Sequence, residues 1–276
     1  MQKTISSREQ SLDRIYHPHE LITLPERFLE IRNFLMRKGG DANALAHIIE
    51  TDIATSATLL KIANSSTYNP MGQSLGTLPK AIARLGLAIS AQVAMSMTLL
   101  QGSKSSLGLQ HIREFWTHSF AVSQLCLRMS LIFKKNIQES LNDMFMAGLF
   151  HDIGRMILSL HVDSTYFEQP FAELHGAELC TQEHIAYGID HTEAGKIILT
   201  QWRMPQGIID AVANHHHPAQ HLAANLCSYA DQFVYTRWHH SQSIDAVQCN
   251  IHALSHAEMY DFLACSDVLR PLLQKL

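Results

Sequence analysis

The stretch Phe150-His151-Asp152-Ile153-Gly154 sets an imidazole beside a carboxylate at the end of an apolar run, just before a helix-breaking glycine. Buried without partners, such a pair is costly. A metal ion or a dense hydrogen-bond network offsets that cost, and the chain holds further residues suited to either. Glu114 and His118 stand four apart, so on a helix they share a face and can converge on one ion. His191 follows Gly188-Ile189-Asp190 where a helix begins, and His215 and His216 close a helix opened by Pro205. Asp231 lies inside the apolar stretch Leu226 to Phe233, where an acid is rarely left unpaired.

The elements that must position these groups read as helices throughout. Phe28, Ile31, Phe34 and Leu35 recur at helical spacing until Gly39-Gly40, and Asp41 can cap the next helix, with Leu45, Ile48 and Ile49 on one face. A third runs from about Ile53 to Asn64, a short one from Leu78-Pro79 to Leu85-Gly86, and an apolar one from Leu87 to Leu100. Small polar residues from Gly102 to Ser106 mark a boundary. Beyond it, helices are expected from about His111 to Phe133, Gln138 to His151, through Ile157 and Leu160 after a break at Gly154, Phe171 to Tyr187, Thr192 to Trp202, Pro205 to Asn214 and Ala219 to Arg237. Almost nothing alternates with period two. The expected architecture is all-α, with a flexible lead-in over 1–20, an N-terminal helical subdomain over 21–101 packed on a second helical bundle over 108–238, and a helical extension over 239–276.

Composition narrows the function classes. With 21 basic against 25 acidic residues and no dense Lys/Arg block, direct nucleic-acid binding is disfavoured. No run reaches the roughly 18 apolar residues of a membrane span, and the first twenty residues lack the apolar core of a signal peptide. Cys126, Cys180, Cys227, Cys249 and Cys265 are odd in number and widely spaced, and read as reduced packing residues of a cytoplasmic protein. Eighteen histidines, several clustered in the second half, permit metal binding without requiring it.

The order Glu114, His118, His151-Asp152, His191, His215-His216, Asp231 resembles the metal-ligand order of the HD phosphohydrolase superfamily in its HD-GYP form. The segments Ile49 to Asp52, Leu59 to Ser66, Ala81 to Gly86, Phe115 to Ser119, Phe150 to Gly154, His191 to Gly195 and Trp202 to Pro205 closely resemble the HDOD domain. That resemblance implies an HD-like helical fold and a role in bacterial signal transduction, many relatives being regulatory and non-catalytic. It also implies one or two divalent ions at the eight residues named. Mixed imidazole and carboxylate ligation suits iron, manganese, nickel or zinc better than calcium.

Two departures bear on catalysis. Arg155 stands where an HD-GYP enzyme has lysine, keeping the charge but not the geometry, and no Gly-Tyr-Pro follows His215-His216. The leading expectation is therefore a regulatory module acting through contacts with a signalling protein. The alternative is a metal-dependent phosphohydrolase acting on a nucleotide or other phosphate ester, with Arg155 as the phosphate contact. A third reading treats the centre as a hydrogen-bonded scaffold.

Overall fold

The computed structural model describes residues 7–16, 24–37, 39–102, 109–168, 171, 173–217, 221–238, 254–255 and 258–259, and every element that they form is helical. Most of the expected boundary after Gly102 and most of the expected C-terminal extension lie outside these residues. Among them, no single helix is long and apolar enough to cross a membrane.

Helix α1, Ser7–Tyr16, falls in the stretch expected to be a flexible lead-in. Its side chains tie it to residues of the second bundle far along the chain. The Ser11 hydroxyl donates to the Tyr187 carbonyl at 2.9 Å, and Arg14 donates to the Val162 carbonyl at 2.8 Å. Arg8 reaches both the Gly188 carbonyl at 3.0 Å and the Glu193 carboxylate. Gly188 admits this approach twice over, since its φ is +72° and a Cβ there would meet the Arg8 backbone at 2.7 Å.

The N-terminal subdomain comprises α2 (Glu26–Met36), α3 (Ala42–Ile49), α4 (Ile53–Asn64), α5 (Leu78–Leu85) and α6 (Leu87–Gly102). Asp41 caps α3 by accepting from Ala44 N at 2.8 Å, and Asp52 caps α4 through Thr55 N at 3.0 Å. Phe28, Ile31, Leu45, Ile49, Leu59 and Ile62 are fully buried between these helices. Asn64 and Arg84 serve structure here. Asn64 pins both backbone groups of Leu75, and Arg84 donates to the carbonyls of Ala63 and Gln73.

The second part comprises α7 (Leu109–Ile132), α8 (Leu141–Phe150), α9 (Ile153–Ile157, continued by a π turn over Leu158–Val162), α10 (Gly176–Tyr187), α11 (His191–Gln201), α12 (Gln206–Asn214) and α13 (Leu222–Trp238). Helix α8 begins three residues later than its apolar pattern suggests because Ser140 and Asp143 form a reciprocal capping box. Helix α10 also begins later than expected. Phe171 belongs to the preceding loop, where its ring stacks on Tyr166 at 5.2 Å. The two parts meet through aromatic packing, with Phe150 lying 5.8 Å from Phe28 and 5.7 Å from Trp202 between ring centroids.

Gly154 corrects the expectation of a break. It sits inside α9, and the reason for glycine is proximity to α11 rather than helix termination. A Cβ at this position would lie 1.8 Å from the His191 carbonyl oxygen and 2.7 Å from Gly195 N, both backbone atoms unable to yield. Gly154→Ala is therefore expected to cost at least about 3 kcal/mol, near the upper range for overpacking, because α9 and α11 must separate. Denaturant unfolding checks this, and a loss below about 1 kcal/mol would show that the helices can part cheaply.

Candidate metal centre

The histidines and acids of the C-terminal bundle meet at one buried point. His118 comes from the middle of α7, His151 and Asp152 from the junction of α8 and α9, His191 from the first position of α11, His215 and His216 from the end of α12, and Asp231 from α13. His151, His191 and His215 have no solvent exposure, Asp152 and Asp231 have almost none, and His216 is half-buried. Glu114 lies one turn before His118 on α7 and is not among the residues whose ligand atoms converge.

Three rings are held in the same manner. The Nδ1–H of His151 donates to the Gly148 carbonyl at 2.8 Å, that of His215 to the Val212 carbonyl at 2.7 Å, and that of His191 to the Glu183 carboxylate at 2.7 Å. Carbonyl and carboxylate oxygens only accept, so each ring must carry its proton on Nδ1 and turn Nε2 toward the centre. Acceptors of this kind, behind the ring, orient metal-binding imidazoles.

Around those nitrogens the carboxylates divide. Asp152 Oδ2 faces His151 Nε2 at 3.6 Å, while its Oδ1 faces His191 Nε2 at 3.4 Å and His215 Nε2 at 3.6 Å. Asp231 Oδ1 lies 3.0 Å from His118 Nε2 and 3.5 Å from His151 Nε2. Among the described residues, Nε2 of His191 and His215 and Oδ1 of Asp231 are buried with no aligned hydrogen-bond partner. Two donors each about 2.1 Å from one ion lie roughly 3.0–3.5 Å apart, and most of these separations approach that range. Among the described residues three groups could hold metal: His118, His151 and Asp152; Asp152, His191, His215 and His216; and Cys180, Glu183 and His191. Asp152 belongs to the first two.

The electrostatics make this a place for positive charge. Burial raises the Asp152 and Asp231 carboxyls, but neighbouring imidazoles, with Arg155 beside Asp152, outweigh it and hold both well below the usual carboxylate range. Burial depresses His151, yet Asp152 and Asp231 prevail and push it up to about 9. His215 and His216 move down through burial and repulsion from neighbouring imidazoles, so both stay neutral, the form in which imidazole ligates.

Three further residues complete the centre. His175, in the loop before α10, reaches Asp231 Oδ2 with its Nε2 at 2.9 Å and stacks on Tyr235 at 4.0 Å, so it covers the Asp231 side. Nothing in its sequence neighbourhood signals that role. Glu183, fully buried, accepts from the ring and the backbone N–H of His191 and from the Tyr166 hydroxyl. Its signal was available: Leu179, Cys180, Glu183 and Tyr187 form the buried stripe of α10, and an acid on such a stripe needs partners. Arg155 donates to Asp152 Oδ2 and to the Tyr166 hydroxyl, both at 3.2 Å.

The HDOD domain family matches residues 21–218 of the chain. The chain belongs to the HDOD family. Solved relatives of this HDOD protein share its fold at low identity. An HDOD domain protein of unknown function from Geobacter sulfurreducens is 21% identical, with a TM-score of 0.66 over 96% of this chain and 91% of that one. A provisionally named phosphohydrolase from Shewanella amazonensis is 19% identical, with a TM-score of 0.62 over 96% and 97%. A second Shewanella amazonensis protein, provisionally named a metal-dependent phosphohydrolase, is 21% identical, with a TM-score of 0.55 over 95% and 94%. An uncharacterized protein of Treponema pallidum is 23% identical over 203 residues, which span 70% of this chain but only 37% of that protein.

Asp190 places His191 by capping α11 through the backbone N–H groups of Thr192 and Glu193. Burial raises its carboxyl, but the Thr192 hydroxyl and those N–H groups outweigh burial and hold it below its ordinary value. Asp190→Ala should cost about 1 kcal/mol at neutral pH, a typical capping loss. A group depressed in the folded state stabilises above its unfolded pKa, about 3.9, and loses that contribution as pH falls through the folded value. Wild type and variant should therefore converge in acid, which urea melts across pH would show; a difference independent of pH would assign the loss to packing.

Proposed function

We propose that the chain is a regulatory signalling module of the cytoplasm whose buried centre binds one or two divalent ions, of iron, manganese, nickel or zinc, and whose output passes through contacts with a partner protein. The observation that carries the metal reading is the shared orientation of His151, His191 and His215, each locked by Nδ1 so that Nε2 faces Asp152. His151, Asp152, Asp231 and His118 would hold one ion. His191, His215 and His216, with Asp152 bridging, would hold a second. A bound ion supplies positive charge to two buried carboxylates and, where it keeps a water, lowers that water's pKa.

The regulatory reading rests on what already occupies the groups that a phosphate ester needs. Arg155 is engaged by Asp152 and Tyr166, and His175 lies over Asp231. The second reading, metal-dependent hydrolysis of a nucleotide or other phosphate ester, is favoured by one feature, the Asp152 carboxylate shared between both groups, as a two-metal site requires.

Elemental analysis of protein purified without chelators should find near-stoichiometric transition metal, lost in both Asp152→Ala and Asp231→Ala. A folded, metal-free wild type would leave the centre as the hydrogen-bonded scaffold. A phosphate-ester screen should show no turnover; hydrolysis abolished by His151→Ala in folded protein would replace the regulatory reading with the enzymatic one. Glu183→Leu leaves the His191 Nδ1–H without its acceptor and should lower metal affinity by about 10- to 100-fold, the usual cost of losing such an acceptor. Competition with a chromogenic chelator measures it, and an unchanged affinity would remove His191 from the ligand set.

A further inference from the structure

Away from the metal centre, a cavity of about 230 Å³ opens where the N-terminal subdomain meets the bundle. Its apolar floor includes Met95 of α6, Phe145 and Met146 of α8 and Met204 after α11, all buried. Its rim is positive. Arg32 of α2 and Arg203 line it, and among the described residues neither guanidinium forms an ion pair; Arg32 rests on the Met204 thioether at 3.9 Å. Among the described residues Asp143 is the one acid in the lining, and its Oδ2 is taken by the backbone N–H and hydroxyl of Ser140. The first turns of α8 and α12 also reach the cavity, through Asn142 and Ile208, and add the partial positive charge of two helix N-termini.

Arg203 is the second observation. It is the sole non-glycine residue with positive φ, at +53°, among those described. The bonds Arg203 N to Thr200 O and Met204 N to Leu199 O close α11 in the turn where glycine normally takes this place. Arginine there is strained, and strain of this kind collects at ligand sites. Neither hydrogen bond uses the guanidinium, so the turn by itself does not call for arginine. A ligand at the cavity would.

We propose that this cleft binds a small amphipathic oxyanion, a carboxylate or phosphomonoester with a short apolar body, whose charged head meets Arg32 and Arg203 and whose body lies on the methionine floor. The cavity falls just under the usual size of small-molecule sites, which limits the body to a chain or ring of modest length. The ligand would touch both subdomains at once. The proposal is independent of whether the metal centre is filled.

The probes are octanoate, octyl phosphate, octanol and inorganic phosphate, titrated against the full chain with methionine-methyl NMR as the readout. Octanoate or octyl phosphate should bind saturably, at least about tenfold more tightly than octanol, the worth of one charge-assisted hydrogen bond, and should shift the methyls of Met95, Met146 and Met204. The better of the two names the head group. Arg203→Gly should raise the melting temperature, by relieving the strained turn, while weakening the anion about tenfold. A merely structural arginine would change stability alone. Equal binding of octanol, shifts elsewhere, no saturable binding, or an Arg203→Gly variant with wild-type affinity would each overturn the proposal.

Discussion

Two carboxylates that water scarcely reaches, Asp152 and Asp231, set the terms for the whole C-terminal bundle. An ion removed from water loses several kcal/mol of solvation, and only nearby positive charge or donors recover it. Each element around the centre meets that demand: α7 with His118, α8 with His151, α11 with His191, α12 with His215, α9 with Arg155 and the loop before α10 with His175. Two of the histidines stand at helix C-termini and donate back to the carbonyl three residues earlier, as His151 does to Gly148 and His215 to Val212. Those last-turn carbonyls otherwise lack intrahelical partners. One bond thus closes the helix and fixes the tautomer, so the folding of α8 and α12 and the chemistry of the centre are the same event.

Backbone proximity is the second constraint. At Gly154 the α9 backbone lies almost against that of α11, and a Cβ at Gly148 would come within 2.6 Å of Ser123 Cα on α7. These approaches put helix ends, rather than long side chains, beside the ligand atoms. Imidazoles on short tethers have little rotamer freedom to lose, and their positions inherit the rigidity of the packed backbone.

Much of this was legible in the residues. The helical periodicity of Phe28 to Leu35, the cap at Asp41, and the adjacency of His151 and Asp152 each express a local rule, and local rules survive into the fold. What escaped was non-local. Helix α1 has a polar, mixed sequence, and its order depends on Glu193 and the Gly188 carbonyl, some 180 residues away. His175 sits in the loop before α10, where Phe171 stacks on the core residue Tyr166. Glu114 is a different case: its i,i+4 spacing from His118 permits convergence, but spacing by itself does not decide whether the shared face looks inward at that depth.

The cleft and the metal centre lie on the same two rods. Helix α8 begins at the cleft, with Asn142, Phe145 and Met146 in its lining, and is closed by His151; α12 brings Ile208 to the cleft and is closed by His215. A ten-residue helix spans about 15 Å and resists compression along its axis, because every backbone bond would have to deform together. A ligand that spread the cleft would thus act on the same helices that carry two of the inward-facing nitrogens, and any coupling between the two sites would be reciprocal. Arg155 lies in the same network: with Asp152 and the Tyr166 hydroxyl among its acceptors, and Tyr166 itself bonded to Glu183, it links the centre to α10 through hydrogen bonds alone.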